Sequence, residues 1–376
     1  MKQGWVNCSL EDICEIEYGT RVVQKKDGGT IYPVYGGGGA TFYMDTYNRE
    51  NCFIVSRFAM SQQCTRFVKG KFFLNDSGLS VKPRNQKEIL QNFLNLQLLY
   101  LNDHIYSLAR GTAQKNLDVP AFRNIEIKYP KSIPEQQRIV AILDDAFAKI
   151  EKAKANAEQN LKNAKELFES YLQGLFENKG DDWKEKTLNE ITEVKDGTHD
   201  SPKYVSEGIP FVTQKNIKLS GLSFTDTKFI TNIDHEKFYK RSNVKYGDIL
   251  ISMIGANRGM AAIVDDKRVF SIKNVGLIKE STNVNMHYLL YYLKSNLAMN
   301  YVLHMSNGGA QEFIGLTALR GFPIPCPPKK TQEAIVQNLD AISSETKKLK
   351  AIYEQKIKDS EELKKSVLQK AFSGEL

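Results

Sequence analysis

PEQQRIVAILDDAFAKIEKAKANAEQNLKNAKELFESYLQG, residues 134–174, decides the architecture. After Pro134 the stretch has no further proline, and no glycine before Gly174. Proline suits the first helical turn, where its missing N–H would have no partner anyway. Val140, Leu143, Phe147, Ile150, Lys154, Ala157, Leu161, Ala164, Phe168, Tyr171 and Leu175 follow a 3-4 spacing, with Lys154 the only charged member. That is a heptad seam, and it predicts one helix of about 65 Å at 1.5 Å per residue. An apolar stripe of that length needs a partner.

A second stretch supplies one. Lys330 to Phe372 offers Ile335, Leu339, Ile342, Thr346, Leu349, Tyr353, Ile357, Leu363 and Val367. Its seam slips after Tyr353, and the two helices are expected to pack antiparallel.

The two helices belong to a longer repeat. Trp5-x4-Leu10-x2-Ile13-x-Glu15-x3-Gly19-Thr20 recurs as Trp183-x4-Leu188-x2-Ile191-x-Glu193-x3-Gly197-Thr198. FFLNDSGLSVK (from Phe72) matches FSIKNVGLIK (from Phe270), and RGTAQKNL (from Arg110) matches NGGAQEFI (from Asn307). EQQRIVAILDD (from Glu135) matches TQEAIVQNLDA (from Thr331). The offset grows along the chain, so the second copy carries about 19 extra residues. Two long copies are a duplication and not a solenoid.

The rest of each copy reads as a mixed α+β domain. NCFIVSR and FFLNDSGLSV predict strands in the first, with a loop at Tyr35–Ala40 and a helix over 86–108. GIPFVT, DILISMIG and FSIKNVGLI predict strands in the second, with a helix over 286–305. The expected organisation is α+β: globular domains at 1–133 and 181–328, helical spacers at 134–180 and 329–376.

The 376 residues carry a net charge of +8. The four segments hold +5, −1, +2 and +2 in chain order, so the globular parts carry most of the excess. A polyanion would meet those parts first. Cys8, Cys14, Cys52, Cys64 and Cys326 are odd in number and irregularly spaced, which predicts free thiols in a reducing compartment. No run approaches the roughly 18 apolar residues of a membrane span, and the expected location is the cytoplasm. The sequence has no G-x-x-x-x-G-K-[ST] phosphate loop, no Asn/Asp-Pro-Pro-aromatic tetrapeptide, and no H-x3-H pair. Neither catalysis nor a cofactor or metal is expected.

Two α+β modules, each followed by a long helix opening near (P)xxQ-x-x-IV-x-x-LD, resemble the specificity (S) subunits of Type I restriction-modification systems. The residues carrying the resemblance are Pro134 to Gln137 with Ile139, Val140, Leu143 and Asp144, then Gln332 with Ile335, Val336, Leu339 and Asp340. The resemblance implies two target-recognition domains, each reading half of a split double-stranded DNA sequence. It implies helices that set the spacing and dock methyltransferase (M) subunits, with an ATP-dependent restriction (R) subunit as a further partner. A coiled-coil adaptor that reads no DNA sequence is the alternative the residues leave open.

DNA contacts draw on Lys and Arg for phosphates and on Arg, Lys, Asn and Gln for base edges. In the first module the candidates are Arg21, Lys25, Lys26, Arg57, Arg66, Lys69, Lys71, Arg84, Arg110 and Lys115. In the second they are His199, Lys203, Tyr204, Gln214, Lys215, Asn216, Asn257, Arg258, Lys273 and Asn274. The competing reading for each is a solvated surface side chain, and for Gln214–Asn216 a plain turn. Glu151, Lys152, Glu158, Lys162, Lys348 and Lys358 are candidates for the outward, docking faces of the helices.

Overall fold

The computed structural model describes residues 4–306 and 312–376. The first five residues of NGGAQEFI therefore lie outside the described residues. The chain divides into two compact units, Met1–Glu158 with Glu354–Leu376, and Gln159–Tyr353.

The first unit opens on strand Trp5–Ser9, paired antiparallel with Glu126–Pro130. Ser9 and Asp12 then form a capping box that starts a single helical turn, Leu10–Ile13. A six-stranded sheet follows, ordered Cys14–Tyr18, Gly78–Pro83, Arg49–Ser56, Thr65–Leu74, Tyr32–Tyr35, Ala40–Met44. The predicted continuous strand over 72–81 is interrupted. Asn75 Oδ1 accepts from Ser77 N at 2.9 Å and folds a turn there. The predicted helix over 86–108 is two helices, Gln91–Tyr100 and Asn102–Ser107.

The second unit repeats this plan. Strand Lys184–Thr187 pairs antiparallel with Pro323–Cys326, and Thr187 and Glu190 form the matching capping box. Its strands divide between a four-stranded sheet and a three-stranded one. Ile209–Val212 runs parallel to Ser271–Ile272, as Tyr32–Tyr35 runs parallel to Thr65–Leu74 in the first unit. The predicted helix over 286–305 breaks where Ser295 caps a new one, Asn296–His304. The surplus residues of this copy include helix Asn232–Ser242, capped by Thr231.

Glycine is required at the same point in both units. A Cβ on Gly19 would stand 1.9 Å from the Asn75 carbonyl oxygen, and one on Gly197 2.4 Å from that of Ile272.

The long helices are Ile133–Glu177 and Lys329–Ser373, 45 residues each. In the first unit they run antiparallel. Lys154 pairs with Glu361, and Glu151 Oε1 accepts from Lys364 Nζ at 3.1 Å. Leu143, Leu368, Ala371 and Phe372 enter the core with Phe93 and Ile127. In the second unit Leu172, Phe176, Ile335 and Leu339 share a core with Tyr288 and Phe322.

Two seam positions differ from the expectation. Leu363 is exposed, while Ser360 and Lys364 are half-buried, so the heptad spacing continues past Tyr353 with polar members instead of slipping. Tyr171 is exposed, and Leu172 and Phe176 are buried in its place. The straight helix drifts by about 20° per heptad, which brings these neighbours round. There Phe176 meets Trp183, Tyr288 and Tyr292 edge-on. Glu151 is exposed, as expected of an outward face, and also pairs with Lys364.

Candidate nucleic-acid interface

In each unit the same backbone bonds bring three loops to one edge. Thr20 N donates to Leu74 O at 2.9 Å, and Thr198 N donates to Ile272 O at 3.0 Å. Leu117 N donates to Arg57 O, and Ile314 N donates to Met253 O, both at 2.9 Å. The edge thus gathers the Gly-Thr turn, the turn before the glycine-led strand, and the loop ending an apolar strand.

In the first unit Arg57 stands at the middle of this edge. Its guanidinium lies 4.8 Å from the Tyr18 ring and 4.4 Å from the Phe58 ring, and Nη1 donates to Asp76 O at 3.1 Å. Flat, stacked and half-buried, it is oriented in advance of any ligand. The hairpin loop 110–117 lies against it. Met60 N donates to Lys115 O at 2.9 Å, and the Lys115 ammonium sits 4.6 Å from the Tyr106 ring. Arg110 pairs with Asp118 yet keeps 81% of its side chain exposed.

The other first-module candidates are more scattered. Arg21 is exposed beside the Gly-Thr turn, and Lys25 and Lys26 are exposed on the short helix Gln24–Asp27. Arg66, Lys69 and Lys71 lie along strand Thr65–Leu74. Lys71 sits 4.5 Å from the Tyr47 ring, and a hydrogen bond to Tyr47 holds its pKa above the ordinary lysine value. Arg84 is apart from the edge. It follows the strand that begins at Gly78, six residues or about 20 Å along. There its Nε donates to Glu11 O at 3.2 Å.

In the second unit His199 bridges two partners. Its Nδ1 is 2.7 Å from Asn274 Oδ1, and its Nε2 is 3.0 Å from Asp196 Oδ2. Asp196 is buried and also accepts from Arg241 at 2.7 Å. Lys273 Nζ donates to Ser201 Oγ at 2.6 Å. Lys203 and Lys215 are exposed, and Tyr204 carries the Lys228 ammonium 4.3 Å from its ring. Tyr204, Gln214, Lys215, Lys228 and Lys273 line one cavity of about 410 Å³. Asn257 is exposed on the Met253–Gly259 loop.

Two candidates have their side chains engaged by partners inside the module. Asn216 is 5% exposed. Its Oδ1 accepts from Thr213 N, and its Nδ2 donates to Ser223 O and Thr227 Oγ1. Arg258 pairs with Glu312 and donates to Ser306 Oγ at 2.9 Å. Short polar side chains after a strand often serve the turn itself, and Asn216 does so.

Sequence reasoning missed Arg241, Lys228 and Lys237. Arg241 and Lys237 stand on the surplus helix, whose start is legible as Thr231-x-x-Asp234. Lys237 Nζ reaches Asp200 Oδ2 at 2.9 Å. Nothing in the sequence spacing placed that helix beside the Gly197–His199 turn.

Residues 2–160 and 180–358 match the family model described as the Type I restriction modification DNA specificity domain. The chain is similar to the "Type I restriction enzyme EcoBI specificity subunit" of Escherichia coli, 24% identical over 52% of this chain and 42% of that one. It is likewise 24% identical to the "Putative type I restriction enzyme MjaX specificity subunit" of Methanocaldococcus jannaschii, over 79% of this chain and 70% of that one. The match thus spans less than half of the Escherichia coli protein. A solved structure described as the "structural basis underlying complex assembly and conformational transition of the type I R-M system" shares the fold. Its TM-score is 0.77 at 18% identity, covering 100% of this chain and 99% of that one. Among the described residues, no helix is long and apolar enough to cross a membrane.

Proposed function

Because the chain belongs to the Type I restriction modification DNA specificity family, we propose that it is the non-catalytic, sequence-reading subunit of a Type I restriction-modification complex. Each globular module, 1–133 and 181–328, reads one half of a bipartite double-stranded DNA target in the cytoplasm. The helical segments 134–180 and 329–376 set the spacer and dock methyltransferase subunits, an assembly that an ATP-dependent restriction subunit can join.

One observation carries this reading: the same three loops are wired to one edge in both units, while the side chains on that edge differ. Arg57 in the first unit stands where Met253 stands in the second. A shared frame with different contact groups is what two readers of different half-sites require. Backbone wiring fixes where DNA sits, and side chains choose the bases. Arg21, Lys25, Lys26, Arg110, Lys115, Lys203 and Lys215 are exposed cations suited to phosphates. Arg57 has donors for base edges, and Gln214, Asn257 and Asn274 have both donors and acceptors.

The test is a titration of duplex binding against salt, using the full chain with its methyltransferase subunits. Binding should weaken with a log–log slope near −0.9 per phosphate neutralised. The purified chain alone should transfer no methyl group and should direct sequence-specific methylation once the methyltransferase is added. A chain that assembles with the methyltransferase but never gives site-specific methylation would instead be an adaptor.

A further inference from the structure

Of the polar side chains lining the second module's cavity, most already have partners. Asn274 Oδ1 faces His199, Lys273 Nζ donates to Ser201, and Asn216 is held by Thr213, Ser223 and Thr227. Lys228 lies over Tyr204, and Lys215 is exposed. Gln214 is different. Its Oε1 has no exposed surface and no hydrogen-bond partner among the described residues. A carbonyl oxygen cut off from both water and a donor costs free energy, which an arriving N–H group would return.

The surroundings fit a nucleic acid strand. Lys215, Lys228 and Lys273 outnumber the single carboxylate of the lining, Asp226, so the cavity carries net positive charge, and the exposed Tyr204 offers an aromatic wall. Gln214 sits in the one-turn helix Gln214–Asn216, directly behind strand Ile209–Val212. Thr213 and Asn216 lock that turn through a capping box. The turn is fixed, and the glutamine side chain it carries has three rotatable bonds.

We infer that Gln214 is a specificity-determining residue of the second module and selects an amino base, adenine foremost, at one position of its half-site. The inference rests on the DNA-reading function proposed above. The carbonyl oxygen accepts from adenine N6–H₂ or cytosine N4–H₂, and the amide N–H₂ donates to adenine N7. Guanine O6 and thymine O4 are acceptors and leave Gln214 Oε1 without a donor, so they are rejected.

The experiment maps methylated sites genome-wide for the full complex carrying the wild-type chain, Gln214→Ala or Gln214→Glu. The wild type should require adenine or cytosine at one position of one half-site. Gln214→Ala should lower that discrimination by roughly tenfold or more and leave the other half-site unchanged. Gln214→Glu keeps the acceptor and loses the donor, so it should keep an amino base and shift towards cytosine. An unchanged target in Gln214→Ala, or relaxation at a guanine or thymine position, overturns the inference. If Gln214→Ala abolishes methylation, Gln214→Glu decides: a shift towards cytosine supports the inference and an unaltered target overturns it. Replacement of residues 181–328 by another module separates the two levels. If replacement alters one half-site while Gln214→Ala does not, only the inference about Gln214 falls. If replacement alters neither half-site, the proposed reading function falls with it.

Discussion

Gln136 and Gln332 make the same clamp in the two halves of the chain. Each is buried in the first turns of its long helix. Gln136 Oε1 accepts from Leu90 N at 2.8 Å, and Gln332 Oε1 accepts from Asn285 N at 2.8 Å. Gln136 Nε2 donates to Pro130 O at 2.8 Å, and Gln332 Nε2 donates to Pro327 O at 2.9 Å. One side chain thus joins the helix start, the strand before it, and a segment of the globular core. A glutamine is needed because acceptor and donor stand on one planar group.

Removing the clamp should loosen the unit that contains it. Gln136→Ala leaves Leu90 N and two carbonyl oxygens without partners, at about 1–3 kcal/mol for each buried group stranded. Gln136→Glu should be worse at neutral pH, because a carboxylate then faces the carbonyl oxygens of Pro130 and Glu88. Urea denaturation of the full chain checks both. The idea fails if Gln136→Glu is as stable as the wild type.

A pH effect is expected from the pair Lys154–Glu361. The Lys154 ammonium holds the Glu361 carboxyl below its ordinary 4.5, and Glu361 holds Lys154 above its ordinary 10.5. A lowered carboxyl pKa stabilises the fold above the unfolded value, and that stability goes as pH falls through the lowered one. Glu361→Gln should therefore narrow the stability difference between pH 7 and pH 3.5. Thermal melts at both values, at low salt, measure this. An identical difference in wild type and variant would show that the pair contributes nothing.

Replacing residues 1–132 by the corresponding module of a relative should change one half-site and spare the other. The basis is that the strands, capping box and clamp of each copy are complete within its own unit. Mapping methylated sites of the reassembled complex gives the answer, and alteration of both half-sites would show that the modules do not read independently.

On the proposed spacer role, one extra heptad in each long helix keeps the seam and adds about 10 Å. That equals roughly three base pairs at 3.4 Å each, which also turns the duplex by about 100°. The expected outcome is a longer unread spacer or loss of tight specific binding. Full methylation of the original site by a folded variant would remove the helices from the spacing role.

The sequence by itself determined the duplication and the two long helices, because heptad periodicity and paired marks such as Gly19-Thr20 and Gly197-Thr198 are local or linear signals. Helix ends and breaks were less legible. Ser295 and Leu101 interrupt apolar runs that read as continuous, since a cap acts through backbone geometry that periodicity does not record. Tertiary structure alone decided which polar residues remain available. Asn216 and Gln214 stand two residues apart in one turn, yet Asn216 has every polar group engaged and Gln214 Oε1 has no partner among the described residues. The partners that make the difference, Ser223 and Thr227, come from the following loop. Arg241 reaches Asp196 across 45 residues of chain. Hydrogen bonds that close loops and join separate elements leave no periodic trace, so only the folded chain shows which polar side chains hold a turn.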